Sequence, residues 1–197
     1  MKKWLYILLV LGIGVVLLGL NKRAPKAEVR VSASAEPEMN SVSPLEEATN
    51  SDGSLKIEGE GQKSREGRMK YSFKVVDVPR KTSLPLYSTV ADPGSVMTIP
   101  RNSWSPDNKQ VYLMATSQGG DDYLLFRADG SKYSDGEKHI SLLEYWNKAE
   151  RDEVILEVSG WAGDDLLMVY TQKKDGAPGQ AYWFVTSSRK FSRVREF

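Results

Sequence analysis

Trp104-Ser105-Pro106-Asp107-Asn108-Lys109 leads directly into the apolar run Val111-Tyr112-Leu113-Met114. A Gly119-Gly120-Asp121-Asp122 turn comes next, and then a second apolar run, Tyr123-Leu124-Leu125-Phe126. Pro106 presets φ near −65° for the first corner of a tight turn, Asp107 can accept from nearby backbone amides, and Asn108 tolerates a left-handed conformation. Two apolar runs of strand length, bounded by turn formers, predict a β-hairpin.

The same unit returns further along. Trp161-Ala162-Gly163-Asp164-Asp165 leads into Leu167-Met168-Val169-Tyr170, then Asp175, Gly176, Pro178 and Gly179, then Tyr182-Trp183-Phe184-Val185. Gly163 stands where Pro106 stands in the first copy, so flexibility replaces a preset corner. A repeated hairpin sets the architecture more firmly than any single motif. The repeat-turn residues of interest are therefore Trp104, Pro106, Asp107, Asn108, Trp161, Gly163 and Asp164.

The first copy, ending in Arg127-Ala128-Asp129-Gly130-Ser131, resembles the WD40-like blade of TolB-type β-propellers, a motif also similar to blades in the tricorn protease and prolyl oligopeptidases. The second copy matches in its Trp, Asp and strand positions, and Tyr71 to Tyr87 fits the last two strands of a preceding blade. The resemblance implies a protein-binding or access-gating role; no residue of this chain matches a catalytic element of the peptidase relatives. About two and a half blades are present, whereas propellers close with about four to eight. Three arrangements are open: a compact sandwich or open sheet, a ring completed by several chains, or a likeness confined to the hairpin. The expectation adopted is a mainly β domain of WD40-like antiparallel blades or a compact β-sheet or sandwich.

Further strands are expected at Tyr71 to Val78, Val154 to Val158 and Phe191 to Arg195, beside those of the two hairpins. Ser141-Leu142-Leu143-Glu144 fits a capping box opening a helix, with Ala149 and Glu150 as good helix formers; an outer strand over the same residues is the alternative. Seventeen of the nineteen aromatic residues lie between Tyr71 and Phe197, which places the hydrophobic core in a domain spanning 67–197.

Trp4 to Leu20 holds no charged side chain. Its 17 residues would span roughly 25 Å as a helix, near the short limit for crossing a bilayer core. Residues 1–20 are thus read as a membrane anchor, with Trp4 and Tyr6 at the headgroup level. A cleavable signal peptide shares the pattern, but its Ala33-Ser34-Ala35 site lies behind Lys22, Arg23, Lys26 and Arg30. Residues 21–66 lack aromatic side chains and are rich in Ala, Ser, Glu and Pro, which predicts a disordered linker. A short N-terminal tail before an apolar run usually directs export of the downstream chain, so the expected setting is the cytoplasmic membrane, single-pass, with the C-terminal domain outside the cytoplasm.

Twenty-seven basic residues against 26 acidic, a net charge of +1, remove the electrostatic case for nucleic acid. Zero Cys removes disulfides, thiolate metal sites and cysteine nucleophiles. His139 is alone and reads as a surface or turn residue. Asp129 to Glu137 has oxygen ligands without the regular calcium-loop spacing and reads as solvated turns. Neighbouring acids, Asp121 with Asp122 and Asp164 with Asp165, point to opposite faces of a strand and read as turn caps. Catalytic, cofactor and metal residues are expected to be none. A hydrolase would need two or more of Asp121, Asp122, Asp164, Asp165, Glu137 and His139 to converge.

Aromatic residues are the candidates for partner contact. Alternation across Tyr182-Trp183-Phe184 sends Trp183 to the face opposite its neighbours, and Tyr145 with Trp146 forms a second adjacent pair; Tyr145, Trp146 and Trp183 are the expected partner-binding residues. The basic pairs Lys173 with Lys174, Arg189 with Lys190, and Arg193 with Arg195 are expected to be solvated. The function expected is a membrane-tethered, extracytoplasmic binding module whose partner is a protein or a second copy, with a self-associating structural domain or a hydrolase as alternatives.

Overall fold

A computed structural model describes residues 42–64, 66–149 and 151–194. The Trp4 to Leu20 segment, the Ala33 site, residues 21–41 of the expected linker, Glu150 and Arg195 lie outside the described residues. Among the described residues no helix is long and apolar enough to cross a membrane.

Among the described residues thirteen strands form three antiparallel sheets, of which the second and third are meanders in chain order. The first holds β1 (Val42–Pro44), β2 (Ala48–Thr49), β3 (Leu55–Lys63), β4 (Met69–Asp77) and β5 (Thr82–Ala91), with β1 and β2 both pairing β3. The second runs β6 (Val96–Thr98), β7 (Gln110–Ser117), β8 (Gly120–Arg127) and β9 (His139–Ser141). The third runs β10 (Glu153–Gly163), β11 (Leu166–Lys173), β12 (Pro178–Val185) and β13 (Lys190–Arg193). All seven expected strands are present in β4, β7, β8 and β10 to β13.

The second sheet is the middle layer, and its side-chain alternation shows why. Val111, Leu113, Leu124 and Phe126 pack with Ile57, Phe73 and Val75 of the first sheet. Tyr112, Tyr123 and Leu125, on the opposite face, pack with Leu167, Val169, Tyr182 and Phe184 of the third. Both faces of β7 and β8 are therefore buried, as the near-continuous apolar runs 111–114 and 123–126 require.

The helix α1 (Leu142–Lys148) opens at Ser141, whose hydroxyl accepts from the Glu144 amide at 3.1 Å. The reciprocal half of the capping box is made differently. Asp122 reaches in from β8, accepting from the Leu143 amide at 2.9 Å and the Ser141 hydroxyl at 2.7 Å, while Glu144 pairs with Lys148. The outer-strand alternative is also present in part, since His139–Ser141 is strand and the helix begins one residue later.

Three expectations are corrected by the chain's path. Among the described residues, strands β1 to β3 lie inside the stretch expected to be linker, and Ile57 on β3 is fully buried in the first core against aromatic residues from further along the chain. Gly163 does not replace Pro106 in a turn: it is the last residue of β10, paired with Leu166, and the turn is Asp164-Asp165 alone. Asp121 and Asp122 likewise belong to strand β8, the turn before them being Gln118-Gly119.

Candidate partner-binding face

The turn read from sequence forms as expected. Ser105 N donates to Gln110 O at 2.9 Å, Gln110 N returns a bond to the Ser105 hydroxyl at 2.9 Å, and Asn108 sits at φ 61°. Asp107 accepts from the Ser105 hydroxyl at 2.7 Å and the Lys109 amide at 3.1 Å. Burial would raise the Asp107 pKa, but the Ser105 and Lys109 bonds outweigh it and hold the carboxyl below its usual value.

The first sheet contains a copy of this turn that the sequence reading missed. In Asn50-Ser51-Asp52-Gly53-Ser54-Leu55, Asn50 N donates to Leu55 O at 2.9 Å, Leu55 N returns to Asn50 Oδ1 at 3.0 Å, and Gly53 sits at φ 73°. It carries no Trp and lies in the aromatic-free stretch, so only its Asn-x-Asp-Gly pattern signals it. The strand after each hairpin closes in the same way: Val78 N reaches Ser54 O, Ala128 N reaches Lys109 O and Thr186 N reaches Asp165 O, at 2.8 to 3.0 Å.

Both repeat tryptophans fasten one sheet to the one before it. Trp104 Nε1 donates to Ala48 O at 2.9 Å, and Trp161 Nε1 donates to Ser103 O at 2.8 Å. Asn102 adds a polar link, accepting from the Tyr112 hydroxyl at 3.0 Å and donating to Ser159 O. Burial pushes the Tyr112 phenol well above its usual pKa, with the neighbouring Tyr123 adding to the shift, so it stays a neutral donor.

Equivalent turns and hairpin closures put the three sheets in register. Counting from the first residues of β3, β7 and β11, Ile57–Val75 of the first sheet, Tyr112–Leu125 of the second and Met168–Trp183 of the third are equivalent cross-strand pairs. Ile57 and Val75 are buried against the second sheet, and Tyr112 and Leu125 against the third. Met168 and Trp183 belong to neither core and are half-buried. Beside them lie the pairs Leu166–Val185 and Tyr170–Ala181, with Tyr170 at 41% exposure, and Val154 and Leu156 of β10 are exposed nearby. The third sheet thus shows an apolar face where the other two meet a neighbour. The indole N–H of Trp183 has no hydrogen-bond acceptor among the described residues and is turned from solvent.

The opposite end of the stack carries a ladder of charge at its centre, with Pro85 and Val90 beside it. One position along from these pairs, Leu113–Leu124 and Val169–Tyr182 are core, whereas the first sheet carries Glu58–Lys74 there, an ion pair of 3.1 Å. Lys56 bonds Glu58 at 2.7 Å and Glu47 at 3.0 Å, extending the ladder. The Ser72 and Ser88 hydroxyls meet at 3.2 Å on the same face.

The other expected site residues divide between the outward face and the cores. Trp183 is on the outward face, as alternation predicts. Trp146 is not available for partner contact: it is buried in the second core, its ring edge-on to Tyr182 and Phe191 and its indole donating to Glu153 O at 2.9 Å. Tyr145 is half-buried, taking a bond from Arg189 with Lys148 5.0 Å above its ring. Arg189 is not a solvated edge charge; its guanidinium lies between the Tyr133 and Tyr145 rings and pairs with Asp135. Burial lowers its pKa, but the Tyr145 and Asp135 contacts outweigh this and keep it charged.

Four of the acids in these turns and strands are engaged locally. Asp122 caps α1, Asp165 accepts from the Ser187 amide at 2.8 Å, Asp129 from the Ser131 amide at 2.9 Å, and Asp135 from the Glu137 amide at 3.2 Å. His139 packs its ring 5.5 Å from both Tyr87 and Phe126. Among the described residues no group of three metal-ligating side chains forms. A cleft of about 590 Å³ opens between the first two sheets at their turn ends, with Leu55, Val75 and Leu84 inside and Arg80, Lys109 and Arg127 at its rim. Those three cations face Asp77, Asp107 and Asp129 at 3.0 to 3.8 Å. No family model matches the chain, and no curated protein is similar to it.

Proposed function

We propose that this chain is a membrane-tethered binding module of the cell envelope, held by Trp4 to Leu20, whose three sheets are WD40-like blades and whose partner docks on the outward face of the third. The observation that carries the reading is the pair Met168–Trp183, which displays apolar side chains at positions that the other two sheets bury against a neighbour. Singly scattered surface hydrophobes are ordinary, but a contiguous patch set in register with two buried interfaces favours a binding surface. The tether would keep that face near the membrane, where partners anchored in the same bilayer meet it at high effective concentration.

The test is a photo-cross-linking amino acid at position 170 of the full chain, irradiated in native membranes, with position 72 on the charged face as control. The reading expects discrete adducts from position 170 and none from position 72. Absence of adducts from position 170 overturns it.

A further inference from the structure

Resting on that reading, we propose that the occupant of the third sheet's outward face is the same face of a second copy, related by a two-fold axis. The two ends of the stack decide between the ways in which copies can associate. A head-to-tail arrangement, whether ring or filament, would press Met168 and Trp183 against the Glu58–Lys74 ladder of the next copy. That buries charged groups whose partners lie in their own sheet, and gains no acceptor or donor from an apolar face. A two-fold arrangement joins apolar face to apolar face and leaves both charged ladders in water. It is also closed, which limits assembly to a pair.

Area sets the expected strength. Four strands about 4.8 Å apart and about eight residues long, at about 3.3 Å per residue, present roughly 500 Å². Two copies then bury about 1,000 Å², the lower bound for a specific interface. Dilute chain would pair weakly, while copies confined to one membrane would pair readily, because tethering raises effective concentration to roughly the mM range.

The absence of native Cys makes the test direct. Single substitutions Leu166→Cys, Met168→Cys, Tyr170→Cys and Val185→Cys are made in the full chain, with Ser72→Cys and Ser88→Cys on the charged face as controls. Membranes carrying each variant are treated with an oxidant and, separately, with a short bismaleimide. The proposal expects at least one of the first four, the one nearest the axis, to lose its monomer band to a species of twice the mass, while both controls stay monomeric. Failure of all four overturns it, as does equal dimer formation by the controls, which would report random collision. An adduct from position 170 to a protein of another mass overturns self-pairing while leaving the binding face standing; no adduct of any mass removes both. All four positions are at least partly exposed, and a protease-resistance check on each variant establishes that both cores remain intact.

Discussion

The indole N–H of Trp161 donates to the carbonyl of Ser103 at 2.8 Å, and Ser103 immediately precedes Trp104, whose own indole reaches Ala48. Each tryptophan therefore stands at the start of one hairpin and bonds the backbone of the sheet before it. The consequence is a chain of sheet-to-sheet fastenings that repeats with the hairpin, so the tryptophans specify stacking as well as local turns.

Replacing Trp104 by Phe removes the bond to Ala48 and part of a buried ring, and a loss of about 1–3 kcal/mol is expected. Trp161→Phe should cost less, because Trp161 is only half-buried. Urea unfolding of both variants checks the order; a Trp161 variant that loses more stability than the Trp104 variant contradicts the burial argument.

Asn108 occupies a left-handed conformation that a β-branched residue resists. Asn108→Val is expected to destabilise by about 1–2 kcal/mol and Asn108→Gly by much less. The Gly variant still forfeits the bond from Asn108 Nδ2 to Asp52 Oδ2 at 2.9 Å. Equal stability of the two variants would show that the turn does not hold this geometry in solution.

Acid should weaken the turns. Asp129 is held below its usual pKa by the Ser131 hydroxyl and amide; Asp107, despite the opposing effect of burial, is held low by its bonds to Ser105 and Lys109. A carboxylate whose folded pKa lies below its unfolded value contributes stability above that unfolded value, 3.8 here, and loses it as pH falls through the folded pKa. The unfolding midpoint of the native chain should drop as pH is lowered below about 4, and Asp107→Asn should flatten part of that drop. A profile unchanged by Asp107→Asn would show that this carboxylate does not contribute to the acid sensitivity.

Much of this architecture is legible from letters, and the reasons for the rest are physical. Val111 to Met114 and Leu166 to Tyr170 read as strands because their runs are short, apolar and bounded by turn formers. The Asn50 turn and β3 escaped because the stretch around them holds no aromatic residue, and Gly59 and Gly61 cut short the alternation that Leu55 to Glu58 begins. Gly59 is there because a Cβ would come within 2.8 Å of the Phe73 ring, a constraint visible only in three dimensions. The outward placement of Trp183 comes from period-two alternation. The burial of Trp146 does not, since a seven-residue helix carries too little periodicity to say which side faces the third sheet.

Asp122 acts across the sequence as the cap of α1. Asp122→Ala should cost about 1–2 kcal/mol, since it frees the Leu143 amide and releases the Ser141 hydroxyl. Hydrogen exchange should rise first at the amides of Leu142–Lys148. Unchanged exchange there would show that Ser141 alone suffices.

If partner docking is right, the outward face of the third sheet is covered when the protein sits in its membrane. Maleimide labelling of Tyr170→Cys and Ser72→Cys in the otherwise cysteine-free chain reads this coverage, in membranes and again after detergent extraction and dilution. Position 170 should label slowly in membranes and quickly once diluted, with position 72 fast in both. Equal and rapid labelling at both positions in membranes would contradict a covered face.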